Sequence, residues 1–184
     1  MGLTGVGKST FINAAAGGDL TEVGHSLESC TTALTHVIAP YPYNRSHRIV
    51  HVDIPGFNNT DTRMEDTEIL RRIVVLARSY TDKVKLAGII YLYDIAQTRI
   101  EEVRRNFDAS KTSWGVTAAQ NVILGTTQCA DVSPAVEASR EQQLRDIWRD
   151  QEGFKMATFT GTSQCAWQII NAITHEQLPE DSKM

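Results

Sequence analysis

The chain has 184 residues, a formal net charge of −4 at pH 7, 41% hydrophobic residues and 22% charged residues. These are ordinary values for a soluble globular protein, so we expect one domain over residues 1–176 and a disordered tail over residues 177–184. The negative charge argues against a nucleic-acid groove, and no apolar run approaches the ~18 residues of a membrane-spanning helix. Three widely spaced cysteines, Cys30, Cys129 and Cys165, predict free thiols in a reducing compartment and therefore a cytoplasmic protein.

The first element along the chain is a phosphate-binding loop that opens a helix. Residues 2–9 (GLTGVGKS) fit G-x-x-x-x-G-K-[ST] at every fixed position. The glycines let the backbone approach a phosphate closely, and the amides at the helix N-terminus are expected to form an anion-binding nest. Lys8 is predicted to reach the β- and γ-phosphates and the Ser9 hydroxyl to bind Mg²⁺. The predicted nucleotide-binding residues of this segment are Thr4, Gly5, Val6, Gly7, Lys8, Ser9 and Thr10.

The β-strand that should precede this loop is absent from the chain, because only Met1 stands before Gly2. In a P-loop sheet that strand is central, and its neighbours are the strands that we predict at 47–53 and 86–93. Either the chain is truncated or numbered from an internal methionine, or another segment fills the place. A gap would leave buried amides unpaired, so we expect the neighbours to close up and distort the loop, or the chain to borrow a strand from another molecule.

The rest of the chain alternates between strands and helices. Residues 34–41 and 47–53 predict a hairpin around the turn Pro-Tyr-Asn-Arg-Ser. Apolar runs predict three strands buried on both faces, at 86–93, 121–127 and 154–160. Helical spacing of apolar residues predicts helices at 67–80, 100–109, 135–150 and 163–176. The pattern indicates an α/β fold with a mostly parallel sheet, one antiparallel hairpin strand and helices on both faces.

The strand at 47–53 ends in the sequence Asp53-Ile54-Pro55-Gly56. An aspartate at this position can hold Mg²⁺ through a water, and the Gly56 amide can sense a γ-phosphate. Between the two motifs lies SLESCTTALT, in which a threonine can place its hydroxyl on Mg²⁺ and its amide on the γ-phosphate. Thr31 is the favoured residue, and Thr32 is the alternative.

The segments GLTGVGKST, SLESCTT and VDIPGF resemble the translation-factor-like GTPases. Within that class they are most similar to the septin, Toc and immunity-associated (GIMAP) group and to its small fungal G-domain proteins. An aliphatic strand ending in Thr-Thr and the late motif Gly-Thr-x-x-x-Ala-Trp at 161–167 extend the resemblance to about residue 173. The resemblance implies a Ras-like three-layer sandwich, bound GTP or GDP with Mg²⁺, and GTPase activity.

Phe57 follows the D-x-x-G motif, at a position where Ras-like enzymes carry a glutamine that orients the attacking water. A phenyl ring cannot orient water, so the resemblance implies a low intrinsic hydrolysis rate. It also implies that a partner G domain completes the site across the nucleotide face, in a homodimer. Arg99 and His25 are the candidates for the group that meets the transition-state charge. The predicted catalytic set is Lys8, Thr31, Gly56 and Arg99.

The guanine-reading motif departs from the family pattern N/T-K-x-D or T-x-W-D. Residues 126–132 read TTQCADV, which places Ala130 at the position of the aspartate and Asp131 one residue later. A backbone shift can bring Asp131 into place, guanine preference can be weak, or binding can be lost. The predicted residues on the base side are Thr127, Asp131, Gly161, Thr162 and Ser163.

Two functions from different classes follow from these motifs. The first is a slow GTPase whose nucleotide state controls self-association or a partner, and the intact magnesium ligands favour it. The second is a degenerate G domain that acts as a protein-interaction scaffold, favoured by Phe57, Ala130 and the missing strand. An ATPase of the same architecture is a weaker third reading.

His47 and His51 stand too far apart along one strand to share a metal, and we expect them to be surface or hairpin residues.

Overall fold

The computed structural model describes residues 1–18, 35–54, 56, 86–98, 121–149 and 154–174, with single positions at 68, 71, 75, 100, 101, 104, 105 and 108. Its elements are, in chain order, α1 (Lys8–Ala16), β1 (Thr35–Pro40), β2 (Arg48–Asp53), β3 (Ile89–Asp94), β4 (Val122–Thr127), a 3₁₀ turn (Cys129–Asp131), α2 (Pro134–Ile147), β5 (Lys155–Thr158) and α3 (Ser163–Thr174). The predicted helices at 67–80 and 100–109 lie outside the described residues apart from the single positions, which are helical. The predicted tail at 177–184 lies outside them altogether.

The five strands form one antiparallel pair and one parallel sheet. β1 pairs with β2 so that Thr35 lies opposite Asp53 and Pro40 opposite Arg48. The parallel sheet has the order β3-β4-β5. The predicted α/β fold, with a mostly parallel sheet and one antiparallel hairpin, is therefore confirmed. None of the described helices is both long enough and apolar enough to cross a lipid bilayer.

Residues 1–3 run beside β3, where the strand before the loop is expected. The Met1 nitrogen lies 2.6 Å from the Ile90 carbonyl oxygen, and the Leu92 amide donates to the Met1 carbonyl at 2.8 Å. A Cβ on Gly2 would lie 2.3 Å from the Leu92 carbonyl oxygen, so this close approach requires glycine. The expectation that the two neighbouring strands close up is wrong, because β2 and β3 lie in separate sheets. A strand borrowed from another molecule stays a prediction.

The core lies between the parallel sheet and its helices. On α3 the buried apolar residues recur at helical spacing, as the sequence predicts: Ala166, Ile169, Ile170 and Ile173. β4 is buried along its whole length, whereas every residue of β5 is only half-buried. The prediction that the third strand is buried on both faces is therefore wrong. Its position at the end of the order β3-β4-β5 leaves one edge without a described neighbour.

The hairpin packs against α3 through a small polar and aromatic contact. The Tyr41 hydroxyl donates to the Asn171 side chain, and the Thr174 hydroxyl donates to Tyr41 at 2.9 Å. The His51 ring lies 5.8 Å from the Trp167 ring, in an edge-to-face arrangement, and is buried. The expectation of a surface or hairpin residue is met in part: His51 lies in the hairpin, but it is buried there, because Trp167 of α3 lies against it.

We predict that burial of His51 makes the fold acid-sensitive. Burial lowers the pKa of His51 from 6.5 to about 4, so the unfolded chain takes up a proton that the folded protein excludes. We expect this group to make the free energy of unfolding about 2 kcal/mol lower at pH 5 than at pH 7.5. Urea unfolding at the two pH values measures this difference. His51→Leu should reduce the difference, and His36→Leu, an exposed position on β1, should keep it; equal pH dependence in both variants would contradict the assignment.

Candidate nucleotide-binding site

The two predicted phosphate-side motifs meet at one edge of the fold. β3, β4 and β5 are parallel, so their carboxyl ends share an edge. Residues 1–3 run alongside β3 and lead into the loop at this edge. β2 ends there too, because Asp53 contacts the first residues of α1. The topology therefore places phosphate-binding and magnesium-binding candidates together, as the sequence predicts.

The loop before α1 has the backbone that its glycines allow. Gly5 and Gly7 have φ angles of 83° and 86°, a left-handed conformation that residues with a Cβ rarely adopt. No atom lies within 4 Å of an added Cβ at either position, so the conformation and not the space requires glycine. Gly5 and Thr10 are exposed, whereas the Val6 side chain is buried in the core. Val6 can therefore offer a phosphate only its backbone.

Lys8 lies folded over its own loop. Its Nζ atom donates to the Leu3 carbonyl oxygen at 2.8 Å. Burial lowers the pKa of Lys8 from 10.5 to about 8, and the charge of Asp53 opposes this shift. A bound polyanion would favour the protonated form of such a lysine. The residue is thus in place to meet phosphate charge.

Ser9 and Asp53 join the two motifs directly. The Ser9 hydroxyl donates to Asp53 Oδ2 at 2.7 Å. Asp53 is buried, and its Oδ1 atom has no hydrogen-bond partner among the residues that the structure describes. A buried carboxylate oxygen without a partner is costly, and a cation or a coordinated water would satisfy it. A serine hydroxyl beside a carboxylate is an oxygen donor set that Mg²⁺ prefers, so the residues fit that ion.

The described residues contain no metal site that is built entirely from protein side chains. Over the described ranges, no group of three or more His, Cys, Asp and Glu side chains is arranged to hold a metal ion. Mg²⁺ is usually bound through one or two carboxylates together with substrate phosphates, so a Mg²⁺ site here would need further oxygens from a bound phosphate ligand.

Gly56 packs directly against the loop. A Cβ built on Gly56 would lie 2.4 Å from Thr4 Oγ1 and 2.6 Å from the Thr4 backbone nitrogen and Cα. No larger residue fits here unless the backbone moves. The Thr4 hydroxyl is buried, and it too has no hydrogen-bond partner within the described part of the chain.

Thr127 lies beneath the loop and not on its surface. Its hydroxyl donates to the Val6 carbonyl oxygen at 3.0 Å and lies 3.3 Å from the Tyr93 carbonyl oxygen. The residue is buried. Sequence reasoning predicts Thr127 as a nucleotide contact, but its side chain ties β4 to the loop. The position of Thr-Thr at the end of a strand is the only signal in the sequence for this role.

The predicted base-side residues stand on two exposed turns. Ala130 and Asp131 are exposed in the 3₁₀ turn after β4, which Gln128 enters with a φ of 59°. Gly161 and Ser163 are exposed before and at the start of α3. Thr162 accepts a hydrogen bond from the Cys165 amide at 3.2 Å, so its hydroxyl caps α3.

Sequence reasoning missed the acidic surroundings of Cys129. Burial and a hydrogen bond to Glu137 raise the pKa of this thiol to about 11, so it stays protonated at neutral pH.

Five predicted residues cannot be placed. Thr31, Thr32, His25, Arg99 and Phe57 lie outside the described residues, and their roles stay predictions.

Residues 1–124, more than half of the chain, match the protein family described as 50S ribosome-binding GTPase. The fold is also similar to a crystal structure described as a nucleolar GTP-binding protein 1 from Plasmodium falciparum. The TM-score is 0.56 and the identity 17%, over 96% of this chain and 84% of that chain. At this identity the likeness shows the fold alone, which is that of a Ras-like P-loop GTPase domain. No curated protein sequence matches the chain.

We predict that Thr127 supports the loop from below. Thr127→Val keeps the shape of the side chain but leaves the Val6 carbonyl without its donor in a buried place. The free energy of unfolding is expected to fall by about 1–3 kcal/mol, measured by urea denaturation. Thr35→Val, an exposed position on β1, is the matched control and should change little. Equal stability of Thr127→Val and the unmodified protein would show that the hydrogen bond contributes nothing.

Proposed function

Because the chain belongs to the family of the 50S ribosome-binding GTPases, we propose that it is a magnesium-dependent GTP-binding switch with a low intrinsic GTPase rate. Membership of a GTPase family implies guanine nucleotide binding. The observation that supports the proposal is the hydrogen bond between Ser9 and Asp53, because it brings together two oxygen donors of the kind that Mg²⁺ prefers, next to the predicted phosphate-binding loop.

The phosphates are expected to bind over the loop at residues 4–10. The left-handed Gly5 and Gly7 shape the loop at the N-terminus of α1, where backbone amides and the helix dipole favour anions. Lys8 would exchange its hydrogen bond to the Leu3 carbonyl for a phosphate oxygen. The exchange is favourable, because a hydrogen bond from the lysine ammonium to an ionised phosphate is stronger than one to a neutral carbonyl.

Ser9 and Asp53 would hold the magnesium ion, together with Thr31 by the resemblance of SLESCTT to the family. When bound, Mg²⁺ would neutralise negative charge on the β- and γ-phosphates. The role of this chain is to keep the two oxygen donors 2.7 Å apart and to shield Asp53 from bulk water. The Gly56 amide would sense the γ-phosphate, and it is held beside Thr4 by the close packing of the two loops.

Guanine is expected to bind between the two exposed turns of the base side. Asp131 carries the carboxylate that can accept hydrogen bonds from guanine, and Gly161 and Ser163 offer backbone amides to the base carbonyl. Ala130 cannot replace an aspartate, so selectivity over adenine depends on Asp131. Its exposed position leaves it free to take part, and a carboxylate that pairs with guanine would lose both hydrogen bonds with adenine.

Hydrolysis is expected to be slow in the isolated chain because Phe57 cannot orient water. We propose that a second copy of this chain completes the site across the nucleotide face, with Arg99 or His25 as the group supplied in trans. The likeness to the septin, Toc and GIMAP group supports this arrangement at the level of sequence motifs. Free Cys129 and Cys165 support a reducing compartment, which we take to be the cytoplasm.

The description of the family names the 50S ribosomal subunit as a target. Binding to an RNA-rich surface is favoured by clustered positive charge that releases counterions. This chain carries a formal net charge of −4. We therefore propose that the partner of this chain is a protein.

A scaffold that binds nucleotide poorly is the second candidate, and one specific observation favours it. Ala130 occupies the position at which guanine is normally read, on a turn whose residues are exposed. If Asp131 does not reach the base, affinity falls by about two orders of magnitude, since a buried charge-assisted pair contributes a few kcal/mol.

The test is a titration with fluorescently labelled GTP and ATP in Mg²⁺, followed by a turnover assay over a range of protein concentrations. We expect GTP to bind at micromolar or lower concentration, Lys8→Ala to abolish binding, and Asp131→Asn to remove the preference for GTP over ATP. A rate per molecule that rises with protein concentration is expected from a homodimer. Equal weak binding of both nucleotides, or none, would contradict the switch and support the scaffold.

A further inference from the structure

We propose that the Thr4 hydroxyl is a catalytic group of GTP hydrolysis, which orients the attacking water that Phe57 cannot orient. The inference rests on the proposed function and deepens it. It gives this chain an internal source for the hydrogen bond to the water, at a position of the phosphate-binding loop whose residue type the motif does not specify.

The position of Thr4 is the first argument. Its Oγ1 atom is the nearest neighbour that a Cβ on Gly56 would meet, at 2.4 Å. Gly56 is the residue expected to sense the γ-phosphate, so the Thr4 hydroxyl lies at the junction between the phosphate loop and that sensor. Close to these residues in sequence, Ser9 at the start of α1 donates to Asp53 at the end of β2 at 2.7 Å. A water bound at this junction would be next to the reacting phosphate.

The unsatisfied state of the hydroxyl is the second argument. Thr4 Oγ1 is buried without a hydrogen-bond partner, as far as the described residues extend. A hydroxyl in this state costs about 1–3 kcal/mol, and an apolar group of the same shape would avoid that cost. Packing alone therefore favours valine over threonine at this position. A ligand that supplies the missing hydrogen bond would repay that cost.

The step that Thr4 would assist is an ordinary hydrolysis. The water oxygen forms a bond to the γ-phosphorus, and the bond from that phosphorus to the β–γ bridging oxygen breaks, with its electron pair staying on GDP. The water proton passes to the phosphate that is released. Thr4 accepts a hydrogen bond from the water and so directs a lone pair of the water oxygen toward phosphorus. The Thr4 hydroxyl neither gains nor loses a proton overall.

The test compares Thr4→Val, which removes only the hydroxyl, with Thr4→Ser, which keeps it. Single-turnover GTP hydrolysis, GDP affinity and the melting temperature of the nucleotide-free protein are measured for each. We expect Thr4→Val to slow hydrolysis at least about ten-fold, to leave GDP affinity within about three-fold, and to leave the melting temperature unchanged or higher. Thr4→Ser should keep most of the rate. Ser139→Ala, which removes an exposed hydroxyl from α2, is the control for a remote change.

The outcomes separate this inference from the proposed function. Full activity of Thr4→Val, or equal loss of activity in Thr4→Val and Thr4→Ser, would overturn the role of the hydroxyl while GTP binding stands. A lower melting temperature with a parallel loss of GDP affinity would show a structural role and would also overturn it. If the unmodified protein binds GTP but does not hydrolyse it, the catalytic role is refuted. If it does not bind GTP, the proposed function itself fails.

Discussion

The hydrogen bond between Ser9 and Asp53 is the constraint on which the rest of the site depends. It joins residues that are 44 positions apart in sequence, one at the start of α1 and the other at the end of β2. Among the described residues, this contact brings the Asp53 carboxylate to the start of α1, and it leaves the other oxygen of Asp53 buried with no partner. Leaving that oxygen without a partner is costly, and a bound magnesium ion would satisfy it.

Close backbone contacts keep this arrangement in place. Gly2 lets the first residues approach β3, and Gly56 lets the D-x-x-G segment rest on Thr4; in both cases a Cβ would clash with backbone atoms of the neighbouring segment. From below, the Thr127 hydroxyl holds the Val6 carbonyl and so fixes the loop to β4. The loop is thus contacted by β3, by β4 and by the segment that follows β2. Contacts of this kind restrict the backbone of the loop, and a restricted loop loses less entropy when a ligand binds.

The sequence predicts those parts of the molecule that depend on local pattern. The stripe on α3, the hairpin and the loop glycines follow from spacing and backbone preference alone. The sequence does not predict the burial of residues whose exposure depends on what packs against their element. His51 is buried because α3 covers one face of β2, and β5 is half-buried because of its place in the strand order. The roles of Thr127 and Thr4 depend on distances between segments that are remote in sequence, and the only sequence signal is the place of Thr127 at the end of a strand.

The most direct test of this account is the Mg²⁺ dependence of GDP affinity in the unmodified protein and in Asp53→Asn. If Ser9 and Asp53 form the magnesium site, Mg²⁺ is expected to tighten GDP binding at least about ten-fold in the unmodified protein and to have little effect in Asp53→Asn. Asparagine keeps the size of the side chain and can still accept the Ser9 hydrogen bond. An affinity that does not respond to Mg²⁺, or Asp53→Asn responding as the unmodified protein does, would contradict the account.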